Sequence, residues 1–75
     1  MRKELTNREK DVINFIISYQ KIHGYSPSVR DIQKGIFLNS PSSVLLHLNN
    51  LKIKGYISFD NKIARSIVIK NKTVV

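Results

Sequence analysis

The sequence predicts a mainly α-helical fold with a small β-hairpin at its end. Three segments carry apolar residues at helical spacing, and each of them follows a residue typical of a helix N-cap. After Gly55 the pattern changes to short β-branched runs, which are typical of strands. We therefore expect three helices followed by a two-stranded antiparallel hairpin, in a single domain covering residues 1–75.

The first predicted helix runs from about residue 7 to residue 23. Thr6 and Glu9 have the spacing of a capping box, in which each side chain accepts a hydrogen bond from the other residue's backbone N–H. Gly24 supplies a C-terminal stop. Between these signals the apolar residues form a wide helical stripe: Val12, Ile13, Phe15, Ile16, Ile17, Tyr19 and Ile22.

Two shorter helices are predicted at about 29–36 and 41–54. Ser28 is the expected N-cap of the first, with Asp31 as its acidic partner. Ser40 and Pro41 repeat the start signal for the second, which buries Val44, Leu48 and Leu51 and ends at Gly55. The joint over residues 36–40 is short, and two helices so connected are typical of a helix-turn-helix.

The last part of the chain predicts two strands, at about 56–59 and 66–70. Residues 60–62, Asp-Asn-Lys, are typical of the turn between them. A hairpin after three helices gives the layout of a winged helix-turn-helix, and we call residues 56–70 the wing.

The charge of the chain predicts a polyanionic partner. Its 75 residues carry thirteen Lys and Arg against five Asp and Glu, a net charge of +8. Nucleic acid or an acidic membrane face would suit this balance, and a basic protein without a charged partner is the alternative. No apolar run approaches the roughly 20 residues of a membrane span, and no signal peptide is visible. We expect double-stranded DNA as partner, no membrane, and a cytoplasmic protein of bacterial or phage origin.

The residue inventory predicts neither an enzyme nor a cofactor. There is no cysteine and no glycine-rich phosphate loop, and the acids occupy capping and surface positions. His23 and His47 have no second ligand at metal-binding spacing, so no metal site is expected.

Small polar residues at the start of the third helix are the first candidates for DNA contact. In a DNA-bound helix-turn-helix this end enters the major groove, and Ser40, Ser42 and Ser43 lie there. Serine hydroxyls suit bases and phosphates, although capping and solvent exposure would equally explain them. Lys62 and Arg65 in the wing are the expected phosphate contacts, and a solvated basic rim is the alternative.

Leu45 and Leu46 allow three interpretations. With Val44, Leu48 and Leu51 facing the core, they lie nearer the outer face. There they could meet thymine methyl groups or form a protein contact, and the third possibility is that one of them belongs to the core. A protein-interaction module built on this face is therefore the alternative function.

Several stretches resemble the amino-terminal DNA-binding domain of the LexA repressors, closest to the Gram-positive branch of that family. The resemblance rests on residues 5–9 (LTNRE), 24–32 (GYSPSVRDI) and 40–44 (SPSSV), and continues at 47–48, Leu51, 54–55, Arg65 and Ile67. It implies repression of transcription by two copies on a palindromic operator, with the third helix in the major groove. Alone, the chain is expected to be a monomer or weak dimer. The predicted DNA-contacting residues are Ser28, Arg30, Ser40, Ser42, Ser43, Leu45, Leu46, His47, Asn49, Lys54, Lys62 and Arg65.

The chain departs from the family pattern at three places. Leu45 and Leu46 replace polar or small residues, so the operator does not transfer. Phe37 stands where the family has a turn glycine, and Gly35 falls two residues earlier, which predicts a rebuilt turn. The family's self-cleaving serine–lysine domain has no counterpart in these 75 residues, so we expect no self-cleavage by this chain.

Overall fold

A computed structural model describes residues 4–60 and 62–70 and confirms the fold class. In chain order the elements are α1 (Asn7–His23), α2 (Val29–Gly35), α3 (Pro41–Ile53), β1 (Ile57–Ser58) and β2 (Val68–Ile69).

Side-chain caps start all three helices at the predicted residues. Thr6 Oγ1 accepts from the Glu9 N–H at 3.2 Å, while the Thr6 N–H donates to Glu9 Oε1 at 2.9 Å. Ser28 and Asp31 form the same reciprocal pair before α2, at 3.1 and 3.0 Å. Ser40 Oγ accepts from the N–H of residue 43 before α3, at 3.4 Å. Each cap gives a partner to a backbone N–H that the first helical turn leaves unpaired.

The helices pack around one apolar core, and the two strands also contribute side chains to it. As predicted, Val44, Leu48 and Leu51 of α3 are completely buried. One member of the predicted stripe on α1, Ile22, is instead exposed, because it lies in the last turn, beyond the other helices' reach. The core consists of Val12, Ile13, Ile16, Ile32, Ile36, Val44, Leu48, Leu51, Tyr56, Ile57, Phe59, Ile67 and Ile69.

The regular elements are shorter than the sequence predicted. Helices α2 and α3 each end one residue early, and only two residues of each strand pair, Ile57 with Ile69 and Ser58 with Val68. On the turn side of this ladder, a side chain continues the hydrogen bonding. The Ser66 hydroxyl accepts from the Asp60 N–H and donates to the Asp60 carbonyl, both at 2.9 Å. These bonds close the wing loop without extending the strands.

The turn between α2 and α3 keeps a left-handed residue although that residue is not glycine. Phe37 has φ 58°, and its side chain is 86% exposed. The N–H of Leu38 donates to the Gln33 carbonyl at 3.0 Å, which is the long bond of a Schellman motif. The expectation of a rebuilt turn is therefore wrong, because this bond holds Phe37 in the conformation that glycine usually supplies.

Replacing Phe37 by glycine should stabilise the domain by up to about 1 kcal/mol. A left-handed conformation costs an L-residue about 1–2 kcal/mol, of which the greater chain entropy of glycine returns about 0.5–1 kcal/mol. Little packing is lost, since the ring is exposed. Urea unfolding measures the change, and Phe37→Ala is the control because it removes the ring and keeps the strain. Equal stability of the two variants would contradict this explanation.

Candidate nucleic-acid interface

The outer face of α3 is set by the residues that it buries. Successive residues of an α-helix are turned by about 100° around its axis. Because Val44, Leu48 and Leu51 face the core, four other residues of α3 lie on the opposite side of the helix. Leu46 is 59% exposed there, and the other three are exposed as well. We call this surface the outer face; its residues are Ser42, Leu46, Asn49 and Ile53.

The remaining predicted residues of α3 lie beside this face. Leu45 is half-buried and packs against the core, so of the two leucines only Leu46 is presented to solvent. The hydroxyls of Ser40 and Ser43 lie 3.4 Å apart within the N-cap. His47 is half-buried, and its Nδ1 atom is enclosed without a hydrogen-bond partner among the described residues.

Two predicted cations are free to bind phosphate. Arg30 at the start of α2 and Lys62 in the wing turn are both exposed, and neither side chain has a hydrogen bond or ion pair within residues 4–60 and 62–70. Both line a cavity of about 450 Å³ between α2, α3 and the wing. We call this cavity the wing groove; Ser28, Arg30, Pro41, Asp60, Lys62 and Ser66 are among the residues that line it.

Lys54, also predicted to contact DNA, has a partner inside the protein. Its Nζ atom lies 2.6 Å from Glu9 Oε1 and 3.0 Å from the Glu4 carbonyl oxygen. The side chains of this pair are 16% and 3% exposed, respectively. A contact between Lys54 and DNA stays a prediction, and this geometry does not favour it.

The same ion pair controls the ionisation of Glu9. Burial of its carboxyl acts to raise the pKa, and it is outweighed by hydrogen bonds from Lys54 and from the Thr6 N–H together with the lysine charge. The pKa of Glu9 is therefore lowered. Glu9 is a charged anchor between the start of α1 and the end of α3.

Arg65, the second wing cation of the prediction, faces the body of the domain. Its Nη1 atom lies 3.0 Å from the Ser26 carbonyl oxygen, 3.2 Å from Asp31 Oδ2 and 3.3 Å from the Tyr19 hydroxyl. The guanidinium carbon lies 4.8 Å from the centre of the Tyr25 ring. The hydrogen bond from the Ser28 N–H is the main cause of a lowered pKa at Asp31, and the charge of Arg65 adds to it.

Sequence reasoning missed the partners of Arg65 and one residue of the wing turn. Tyr19 was predicted only as part of the apolar stripe of the first helix, and both Tyr19 and Tyr25 are so far from Arg65 in the sequence that no local pattern indicates the contact. Ile63 was not singled out; it lies next to Lys62, is 59% exposed and lines the wing groove. An isolated isoleucine in a polar turn could have drawn attention to it.

Neither a metal site nor a membrane-spanning helix occurs among the described residues. Within residues 4–60 and 62–70 no three His, Cys, Asp or Glu side chains lie close enough together to hold a metal ion. Among the described helices, none has the length and apolar character to cross a membrane.

Comparisons with known proteins agree on one family. Residues 2–66 match the family described as the LexA DNA binding domain. The chain is 45% identical over 73 residues to the LexA repressor of Pseudothermotoga lettingae, which covers 97% of this chain and 36% of that protein. It is 51% identical over 65 residues to the LexA repressor of Thermosipho africanus (87% and 32%), and 42% over 67 residues to that of Staphylococcus aureus (89% and 32%). The chain thus spans about a third of the length of these relatives.

Proposed function

The chain belongs to the LexA DNA-binding domain family, as its sequence predicts, and on that premise we propose that it binds duplex DNA sequence-specifically as the DNA-reading part of a transcriptional repressor. The observation that carries the proposal is the outer face of α3, which is exposed and uncharged and belongs to the same helix that borders the wing groove with its two free cations.

The outer face supplies the reading of base pairs. The major groove admits an α-helix, and α3 places Ser42, Leu46 and Asn49 on its exposed side. Asparagine can bond both edge groups of adenine, a serine hydroxyl can donate or accept, and a leucine suits the methyl group of thymine. We therefore expect the operator to be rich in A·T pairs where Ser42, Leu46 and Asn49 contact it.

The wing groove supplies attraction that does not depend on sequence. Arg30 and Lys62 border it from α2 and from the wing, so a DNA backbone running past α3 would meet a positive charge on either side. Such contacts position the protein and release counterions, and affinity therefore falls steeply as salt rises.

We further propose that two copies bind a palindromic operator. A single module of this size buries a modest area on DNA and binds weakly. Two copies that contact each other on adjoining half-sites gain affinity, because the first copy raises the effective concentration of the second. Two-fold symmetry of the operator would then mirror the symmetry of the protein pair.

The test combines selection of duplexes with binding at two salt concentrations. We expect an enriched palindrome that binds more tightly than random duplex, by fluorescence anisotropy. Asn49→Ala should weaken binding to the selected duplex about tenfold, since one good base contact contributes about 1–3 kcal/mol, and should leave random duplex unaffected. Lys62→Met should weaken both and reduce the slope of log K against log salt by about 0.9. Lys10→Met, on exposed α1 surface, is the matched control.

One specific observation favours a second candidate function, a protein-interaction surface. Leu46 and Ile53 are exposed apolar residues seven positions apart on the outer face, so they form a short apolar stripe. If no duplex binds even at low salt, DNA binding is excluded and this stripe becomes the site to test. The double substitution Leu46→Gln/Ile53→Gln should then abolish binding to a protein partner while the fold is kept.

A further inference from the structure

The wing is held only weakly by its own strands. Among the described residues two residue pairs form the ladder, and the Lys70 N–H adds one bond to the Tyr56 carbonyl at 2.8 Å. An isolated two-stranded hairpin is marginally stable at best. The turn nevertheless has a defined course, in which the Lys62 N–H donates to Asp60 Oδ1 at 2.9 Å and the Ile63 N–H donates to the Asp60 carbonyl at 3.0 Å. Contacts outside the hairpin must therefore fix where this turn lies relative to the helices.

Arg65, at the end of the wing turn, has hydrogen bonds and an ion pair to the helical part of the chain. One nitrogen of its guanidinium lies within 3.3 Å of oxygens from Ser26, Asp31 and Tyr19, and the flat group stacks on Tyr25. These partners come from α1, from the segment between α1 and α2, and from α2. A planar group with five donors suits such a site, whereas lysine offers a point charge that cannot stack in this way.

The backbone at Arg65 has an unfavourable conformation. Its φ is 56°, in the left-handed region that a residue with a Cβ atom seldom adopts. Such strain persists only where the surrounding structure imposes it. The side chain is 41% exposed, so simple burial does not explain the conformation.

We propose that Arg65 is a positioning residue, an internal clamp that ties the wing to α1 and α2, and that it does not itself contact DNA. This inference rests on the proposed function. It reverses the role that the sequence predicted for Arg65, which was a phosphate contact in the wing.

Asp31 is the other half of the clamp. Its Oδ2 atom accepts from the Ser28 N–H at 3.0 Å, as the cap of α2, and lies 3.2 Å from Arg65 Nη1. The wing is thus tied to the carboxylate that starts α2, one residue after Arg30. The clamp fixes the spacing between Arg30 and Lys62, which line the wing groove from opposite elements.

This role makes a specific prediction about salt. A residue that binds phosphate contributes to the number of counterions released, whereas a residue that orders the wing changes affinity at every salt concentration equally. Without the clamp, the wing has to be ordered during binding, and that cost is on the order of tenfold in affinity.

The experiment compares Arg65→Met, Arg65→Lys and Lys62→Met on the selected duplex across a salt series. We expect Arg65→Met to bind about tenfold more weakly with an unchanged salt slope, and Arg65→Lys to give no rescue. Lys62→Met should lower the slope by about 0.9. A slope lowered equally by Arg65→Met would show that Arg65 contacts phosphate, and unchanged affinity would show that the clamp has no effect on binding; either result overturns the proposal.

Amide hydrogen exchange tests the clamp without DNA. Arg65→Met and Asp31→Asn should each speed exchange across residues 62–66 while the core amides of α1 and α3 keep their protection; asparagine still offers an oxygen to the Ser28 N–H. Unchanged exchange in the wing would overturn the clamp. If the wild-type chain binds no duplex, the proposed function fails and exchange still decides whether Arg65 holds the wing.

Discussion

Replacing Lys54 by methionine should destabilise the domain by about 3 kcal/mol, since removing one partner of a buried ion pair costs about 3–5 kcal/mol. We take the lower end because the lysine keeps some exposure and the Thr6 N–H still bonds the carboxylate. For a domain of this size the loss corresponds to a melting temperature lower by about 12–24 °C. Thermal and urea unfolding measure it.

The dependence on pH separates this pair from ordinary packing. In the wild type the pKa of Glu9 is lowered, so its contribution to stability is complete above the unfolded-state pKa of about 4.3 and is lost as the pH falls through the folded value. In Lys54→Met burial still acts to raise the pKa of Glu9 and only the hydrogen bonds with Thr6 still lower it, so this pKa should lie higher than in the wild type. The variant should therefore gain stability relative to the wild type as the pH is lowered.

A double substitution is the control for the Lys54 result. Glu9→Gln/Lys54→Met keeps an oxygen for the Thr6 N–H and removes both charges, so no buried charge is left without a partner. It should be more stable than Lys54→Met alone at neutral pH. If the single and double variants unfold together, the loss comes from packing of the lysine stem and the charge argument is wrong.

Replacing Gly35 by alanine should cost about 2 kcal/mol, although alanine is the better helix former. A Cβ atom at this last residue of α2 would overlap the ring of Phe15 on α1, and overpacking of this kind costs about 1–3 kcal/mol. Gly35 thus leaves the space that the Phe15 ring occupies. Urea unfolding of Gly35→Ala gives the magnitude.

The same substitution in a Phe15→Ala background distinguishes overlap from backbone effects. With the ring removed, Gly35→Ala should be neutral or stabilising by up to about 1 kcal/mol, which is the helix propensity difference. The two substitutions would then be strongly non-additive, with the double variant about 2–3 kcal/mol more stable than the sum of the single losses predicts. An equal loss in both backgrounds would show that glycine is needed at Gly35 for its backbone conformation.

Local patterns predicted the caps and the core, and could not predict the contacts between distant segments. Thr6 with Glu9 and Ser28 with Asp31 are three residues apart, so spacing alone identifies them. Glu9 and Lys54 are 45 residues apart, and nothing in either segment records the other. For that reason Lys54 and Arg65 were interpreted as free cations.

The prediction for the turn at Phe37 was wrong for a different reason. Residue preference predicted that a phenylalanine would change the left-handed turn, but the hydrogen bond from Leu38 to Gln33 preserves it. Preference for a backbone conformation is about 1–2 kcal/mol, which packing and hydrogen bonds readily exceed. The outer face could be derived from helical spacing once the core was known, whereas the half-burial of Leu45 required the packing itself.

The absence of charge on the outer face has an evolutionary consequence. In the proposed mode of binding, uncharged side chains on α3 contact the bases, while the two cations of the wing groove attract the DNA backbone. In evolution, substitution of Ser42, Leu46 and Asn49 could therefore change the operator while the sequence-independent affinity for DNA stayed the same. Control of new genes would then require few mutations, and the intermediate variants would keep their sequence-independent affinity for DNA.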